Sequence, residues 1–126
     1  MATHKINSLN GRNLNAAVML AMGLKVIRRD DGLRVMVTDI EDDMEFECSI
    51  VPDPYCMSWE WAGPVLHRER ISLNYSDPEE EDELYAWAIC GNYEFDDANP
   101  LVAGMRAFVA RKVGRIENYE YVVDLP

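Results

Sequence analysis

The sequence predicts an α+β domain: an antiparallel β-sheet of about five strands with two helices, one N-terminal and one near the C-terminus, packed on one face. Three observations carry that expectation. Apolar residues recur at helical spacing near both ends, period-two alternation occupies the middle, and turn-forming residues separate the alternating stretches. At 126 residues the chain reads as one domain, residues 1–126, large enough to bury about two thirds of its unfolded surface without disulfide staples.

The elements follow in order. Residues 1–10 lack an apolar h-region, so no secretory leader is expected there. Leu9 and Leu14 fit a hydrophobic staple around Asn10 as N-cap, and Leu14, Ala17, Val18, Ala21 and Met22 keep helical spacing until Gly23 ends the helix. Residues 24–29 and 33–38 flank Asp30-Asp31-Gly32, which predicts a hairpin. Glu41-Asp42-Asp43 reads as a turn, and residues 44–51 as a third strand ended by Pro52 and Pro54. A loop is expected through Trp61.

Alternation returns over residues 71–75, with Ile71, Leu73 and Tyr75 on one side. Asp77-Pro78 and the acidic run 79–83 then predict an exposed connection, because like charges repel and proline interrupts regular structure. Residues 84–90 are apolar without a break, which predicts a central strand covered on both faces. The last helix is punctuated by Asn99 as N-cap, Pro100 at its first position and Gly114 past its end. Leu101, Met105, Phe108, Val109 and Val113 supply its buried stripe. Arg106, Arg111 and Lys112 are expected on its exposed side, the last two near the negative end of the helix dipole. Residues 116–125 add a short strand or stay loose.

Charge carries the functional reading. The net charge is −11, and no lysine or arginine falls between Arg34 and Arg68 or between Arg70 and Arg106, where most of the acids crowd. Two acid-only segments repel phosphates, which excludes a direct nucleic-acid binder and an anionic membrane surface. No apolar run is long enough to span a bilayer. In residues 39–50, Asp39, Glu41, Asp43, Glu45 and Glu47 alternate with Ile40, Met44, Phe46, Cys48 and Ile50. Same-face carboxylates on such a strand lie roughly 6.6 Å apart. That spacing resembles a row of phosphates; it equally describes the solvated face of an edge strand kept charged against aggregation.

Candidate partner-binding residues are therefore Asp39, Glu41, Asp43, Glu45 and Glu47, together with Glu79, Glu80, Glu81, Asp82 and Glu83 of the second segment. Trp61 joins them. Trp59 and Trp61 share a face if the segment is extended, near Tyr55 in a stretch carrying Pro52, Pro54 and Pro64. Trp59 is expected in the core and Trp61 in the more open position.

Catalytic chemistry is poorly supplied. His67-Arg68-Glu69-Arg70 offers a base and two anion binders, yet His4 is the only other histidine, and alternating charges on a surface strand account for the tetrad. A calcium loop starting at Asp77 would place Asp82 where glycine is needed and Ala88 where a bidentate glutamate is needed. Cys48, Cys56 and Cys90 have no metal-like spacing and read as reduced thiols, Cys48 and Cys90 in the core and Cys56 more exposed. No nucleotide-binding glycine loop, serine nucleophile elbow or paired-cysteine motif is present. No catalytic residue, cofactor or metal ligand is expected.

Three stretches carry a family resemblance. Residues 9–23, LNGRNLNAAVMLAMG, resemble the opening helix of the NinX-like family of small tailed-phage proteins. Residues 59–73, WEWAGPVLHRERISL, resemble its central motif of a tryptophan, a glycine pair, proline, two aliphatics, a charged stretch and a strand; residues 100–114, PLVAGMRAFVARKVG, are similar to its closing helix. The resemblance implies a phage product in the host bacterial cytoplasm and no defined activity. Ala62 replaces the first of the glycine pair and leaves Gly63 alone, while Trp61 is extra beside Trp59. The stretches 44–51 and 77–83 are more acidic than the pattern.

The expected function is that of an acidic, non-enzymatic accessory protein that binds a basic surface of a host or phage protein. Inhibition of a nucleic-acid-binding defence system by mimicry or occlusion is its sharpest form. The alternatives are a small phosphate-handling enzyme centred on His67, Arg68 and Glu69, and a minor virion component.

Overall fold

A computed structural model describes residues 2–39, 41, 43–50, 55, 58–77, 79 and 85–126. The described chain runs β1 (Ala2–Lys5), a 3-10 turn (Ile6–Ser8), α1 (Gly11–Ala21), β2 (Lys25–Arg29), β3 (Gly32–Asp39) and β4 (Met44–Ser49). It continues with α2 (Trp59–Arg68), β5 (Ser72–Tyr75), β6 (Ala86–Cys90), β7 (Tyr93–Asp97), α3 (Pro100–Val113), β8 (Arg115–Glu117) and β9 (Glu120–Leu125). The α+β class holds, but the single sheet of about five strands does not. The described strands form three antiparallel sheets of three, ordered β1-β9-β8, β2-β3-β4 and β5-β6-β7. The β2–β4 and β5–β7 sheets keep the strands in chain order, and the third joins β1 to the β8–β9 hairpin.

The centre is α3, where Leu101 through Ala110 are all buried. It is not a helix lying on one sheet face; it packs against β6 and β7, against α1 and α2, and against β9. Its punctuation is as the sequence predicts: Asn99 Oδ1 accepts from Leu101 N at 2.9 Å, Pro100 opens the helix, and Gly114 N donates to the carbonyls of Val109 and Ala110. Gly104 lets α2 approach, since a Cβ there would stand 2.6 Å from Leu66 Cδ2 and push that side chain aside.

Arg106 departs from expectation. It is 6% exposed, not on a solvated face. Its Nε donates to Leu9 O at 2.9 Å, and its Nη1 donates to Asp96 O at 3.1 Å and to Asp97 Oδ1 at 3.2 Å. Helix spacing alone could not reveal this, because the partners come from two other segments of the chain. A buried guanidinium needs such partners, since an uncompensated buried charge costs several kcal/mol on the order of magnitude.

Helix α1 ends in a Schellman arrangement: Gly23 takes φ +90, Gly23 N donates to Leu20 O and Leu24 N donates to Met19 O. Asn10 is its N-cap, without a side-chain cap hydrogen bond. The helix buries two faces. Leu14, Ala17 and Val18 enter the cluster around α3, whereas Ala16, with Met19 and Leu20, meets Val26, Val35 and Ile50 under the β2–β4 sheet.

Strand β6 is central in its sheet, but its two faces are not equally buried. Ala86, Ala88 and Cys90 are buried toward α3, while Trp87 and Ile89 on the other face are half-buried. The unbroken apolar run therefore reflects one packed face plus a half-buried one that carries Trp87 and Ile89. Residues 59–61 are not loop. They begin α2 in spite of Pro64, which removes one backbone donor inside the helix. Residues 67–70 are accordingly the end of that helix and a turn, not a surface strand. The tail forms β8 and β9, turned by Asn118 (φ 51) and Tyr119 (φ 65), the two positive angles of a type I′ hairpin.

Candidate interaction surface

The first candidate surface is the β3–β4 hairpin. Its register sets Val35 opposite Cys48, Val37 opposite Phe46 and Asp39 opposite Met44, and on the other face Met36 opposite Glu47 and Thr38 opposite Glu45. Near its root the inner face is sealed by α1, and Val26, Val35 and Ile50 are buried. Further along, the cover ends: Cys48 is half-buried, Phe46 is 48% exposed and Met44 is 65% exposed. Met44 lies four residues from Cys48, so the hairpin end stands roughly 13 Å beyond the packed root.

Glu41 and Asp43 sit in the turn and Glu45 just past it, all exposed; Asp43 takes φ 52, which aspartate tolerates better than most side chains. Asp39 closes β3. Its side chain is not among the described parts, and Asp42 of the predicted turn lies outside the described residues. Glu47 belongs to the root. Arg29 of β2 donates to Glu47 Oε1, and Arg34 donates to Asp31. The Arg29 hydrogen bond holds the Glu47 carboxyl below its ordinary pKa, and Arg34 does the same for Asp31. The outer face thus mixes signs at its root and is acidic at its end. The carboxylate row read from residues 39–47 is interrupted at Glu47 by an arginine from outside the acid-only segment.

Of the remaining candidates, the described ones lie on other elements of the chain. Glu79 is exposed in the β5–β6 connection, where its N–H donates to Asp77 Oδ1 at 2.9 Å. Glu80, Glu81, Asp82 and Glu83 lie outside the described residues, as do Pro52, Pro54 and Cys56. Trp61 is on α2, and so is Trp59, each 54% exposed. Two residues apart on a helix, they point about 200° apart and do not share a face. Trp61 packs edge-on against Tyr55, with ring centroids at 5.9 Å. Tyr55 is buried, and its N–H donates to Asn15 Oδ1 at 3.2 Å. The expectation that Trp59 lies in the core is overturned: Ala62, Val65 and Leu66 form the buried face of α2 instead.

His67 and Arg68 are exposed on the last turn of α2. Glu69 bridges Arg68 at 3.4 Å and Lys112 at 3.5 Å, tying the end of α2 to the end of α3. Arg70 takes φ 53 in the turn that follows. Among the described residues, no group of three or more His, Cys, Asp or Glu is placed to hold a metal ion.

The sequence reading missed β7. Gly91 (φ 63) and Asn92 turn the chain, and Tyr93–Asp97 returns beside β6 with Phe95 buried and Glu94 and Asp96 exposed. The alternation of Tyr93 and Phe95 with Glu94 and Asp96 was its available signal. Tyr85, Trp87, Glu94, Phe95 and Asp96 line a groove of about 430 Å³ on this sheet. The Tyr85 and Trp87 rings lie 5.8 Å apart at 40°.

No helix among the described residues is long and apolar enough to cross a membrane. No curated protein matches the chain. A family described as Bacteriophage P22, NinX matches residues 5–112, a span that takes in the opening helix, the tryptophan-bearing α2 and nearly all of α3. The chain belongs to this phage NinX family.

Proposed function

We propose that this protein is an acidic phage accessory factor that acts by binding, not by catalysis, and that its partner is a host or phage protein with a basic surface. The observation that carries the reading is the end of the β3–β4 hairpin. There Met44 and Phe46 are exposed beside Glu41, Asp43 and Glu45, which sit at the end away from Arg29 and Arg34. Exposed apolar side chains rimmed by one sign of charge suit a protein interface: burial of the apolar pair supplies affinity, and the acids steer encounter and choose the partner. With Glu47 held by Arg29, the strand is a poor ladder of free carboxylates. Occlusion of a basic surface, such as the nucleic-acid channel of a defence nuclease, therefore fits better than mimicry of a phosphate row. The His67, Arg68 and Glu69 alternative gains nothing from the Glu69 bridge, which uses that carboxylate to join two helices.

The test is affinity capture from infected cells over a series of salt concentrations. Wild-type protein is expected to retain a basic protein whose recovery falls as salt rises, and Glu45→Lys is expected to lose most of it at low salt. Undiminished capture by Glu45→Lys rejects the hairpin as the contact surface.

A further inference from the structure

We infer that the groove on the outer face of the β5–β7 sheet receives an arginine side chain of a partner protein, its guanidinium stacked on Trp87 and held by Glu94 and Asp96. The inference rests on the accessory-protein reading and supplies the chemistry of a second contact, on a different sheet from the hairpin.

The register fixes the constellation. Trp87 stands opposite Asp96 and Ile89 opposite Glu94, so the indole and both carboxylates rise from one face, diagonal and direct neighbours of each other. Glu94 and Asp96, two residues apart on one strand, are separated by roughly 6.8 Å. Tyr85 continues the aromatic wall beside Trp87. The groove is open to solvent, and its volume of about 430 Å³ is ample for one large side chain and falls within the range of about 300–1,000 Å³ usual for ligand sites.

Charge decides the occupant. Several of the described acids are engaged by the protein's own cations: Glu47 with Arg29, Asp31 with Arg34, Glu69 with Arg68 and Lys112, Asp97 with Arg106, Glu120 with Lys5, and Glu117 and Asp124 with Arg115. Among the described residues no lysine or arginine pairs with Glu94 or Asp96. A tryptophan face flanked by two uncommitted carboxylates attracts a cation by its quadrupole and by charge-assisted hydrogen bonds together. Arginine suits it better than lysine, because a planar guanidinium stacks on an indole and still presents donors in its plane to both carboxylates. The backbone argues for side-chain insertion over strand addition. Strand β7 is a sheet edge, but the Asp96 carbonyl already accepts from Arg106 Nη1, and an added strand would compete with that bond.

The experiment is an NMR titration of the full chain that follows the Trp87 indole N–H, assigned with Trp87→Phe. The probes are a short peptide with arginines at alternate positions and matched peptides carrying lysine or citrulline. The arginine peptide is expected to shift the Trp87 signal saturably, the lysine peptide to bind more weakly, and the citrulline peptide to leave it unmoved. The Glu94→Gln/Asp96→Asn double variant, checked for an unchanged spectrum elsewhere, is expected to bind the arginine peptide about tenfold less tightly. No Trp87 shift with the arginine peptide overturns the proposal. So does equal binding of citrulline or lysine peptides, or indifference to the double substitution. Such a failure removes the groove alone; the hairpin reading stands or falls on Glu45-dependent capture.

Discussion

Around α3 a full charge is locked inside the protein, while at the β3–β4 hairpin large apolar side chains are left outside. Arg106 is 6% exposed and Phe46 is 48% exposed, the reverse of the usual preference of the two residue types. The difference lies in what each segment finds around it. Arg106 meets the carbonyls of Leu9 and Asp96 and the carboxylate of Asp97, so burial leaves its donors satisfied. Phe46, opposite Val37 and between Met44 and Cys48 on the same strand face, lies outside the buried cluster of Ala16, Val26, Val35 and Ile50 and stays half exposed. One region has used its polar chemistry for its own cohesion, and the other has apolar surface still uncommitted.

The largest effect should come from the buried charge. Arg106→Met keeps much of the side-chain volume but strands two backbone carbonyls and the Asp97 carboxylate, and is expected to cost roughly 3 to 5 kcal/mol in urea unfolding. Asp97 is partly open to water, which places the value toward the lower end. A loss below about 1 kcal/mol, the size of one ordinary hydrogen bond, would show that the arginine network is dispensable and would dissolve the contrast.

A tied surface acid gives the next test. Asp124 accepts from Arg115 Nε at 2.9 Å, from Arg115 Nη2 at 3.0 Å and from Thr3 Oγ1 at 2.7 Å, joining β9 to β8 and β1. The Arg115 hydrogen bonds, then the Thr3 hydroxyl, lower its pKa from 3.8 to about 2. Because the folded value lies below the unfolded one, the unfolded chain takes up the proton first. The stabilisation is therefore whole above pH 3.8 and fades as pH falls through about 2. Thermal melts across that window should show wild type losing its advantage over Asp124→Asn as the pH drops. Parallel curves for the two proteins would mean the bridge contributes no linkage.

Local signals were legible in the sequence and distant pairings were not. Gly23, Asn99, Pro100 and Gly114 end or start helices by backbone geometry that a few adjacent residues determine, and those boundaries are where the spacing puts them. Helix α2 was hidden by Gly63 and Pro64, which lower helical preference although Ala62, Val65 and Leu66 find a core to cover. Strand β7 was hidden because its outward residues are acids next to a third acid, Asp97, so its short alternation looked like loop. The division into three sheets depends on which strands meet, and periodicity does not encode that. The same limit applies to the candidate surface. Exposure of Glu41, Asp43 and Glu45 follows from their alternation and turn position, whereas the capture of Glu47 by Arg29 depends on β2, β3 and β4 lying side by side.

The smallest effect on stability should be the most telling for function. Phe46→Ser removes an aromatic ring from the uncovered part of the hairpin, opposite Val37 and away from the Val26, Val35 and Ile50 cluster. Its cost in urea unfolding is expected to stay within about 0.5 kcal/mol, the range of surface substitutions that break no cap, network or packed contact. If the hairpin end is a docking surface, the same change should nevertheless lower partner capture by about tenfold, since a large aromatic side chain buried at an interface carries energy of that order. Val35→Ala gives the opposite signature: packed at the root, it should destabilise by roughly 1 to 3 kcal/mol from lost methyl burial while leaving the docking residues in place. A Phe46→Ser protein that binds normally but unfolds easily would mean that the exposed ring serves the fold after all.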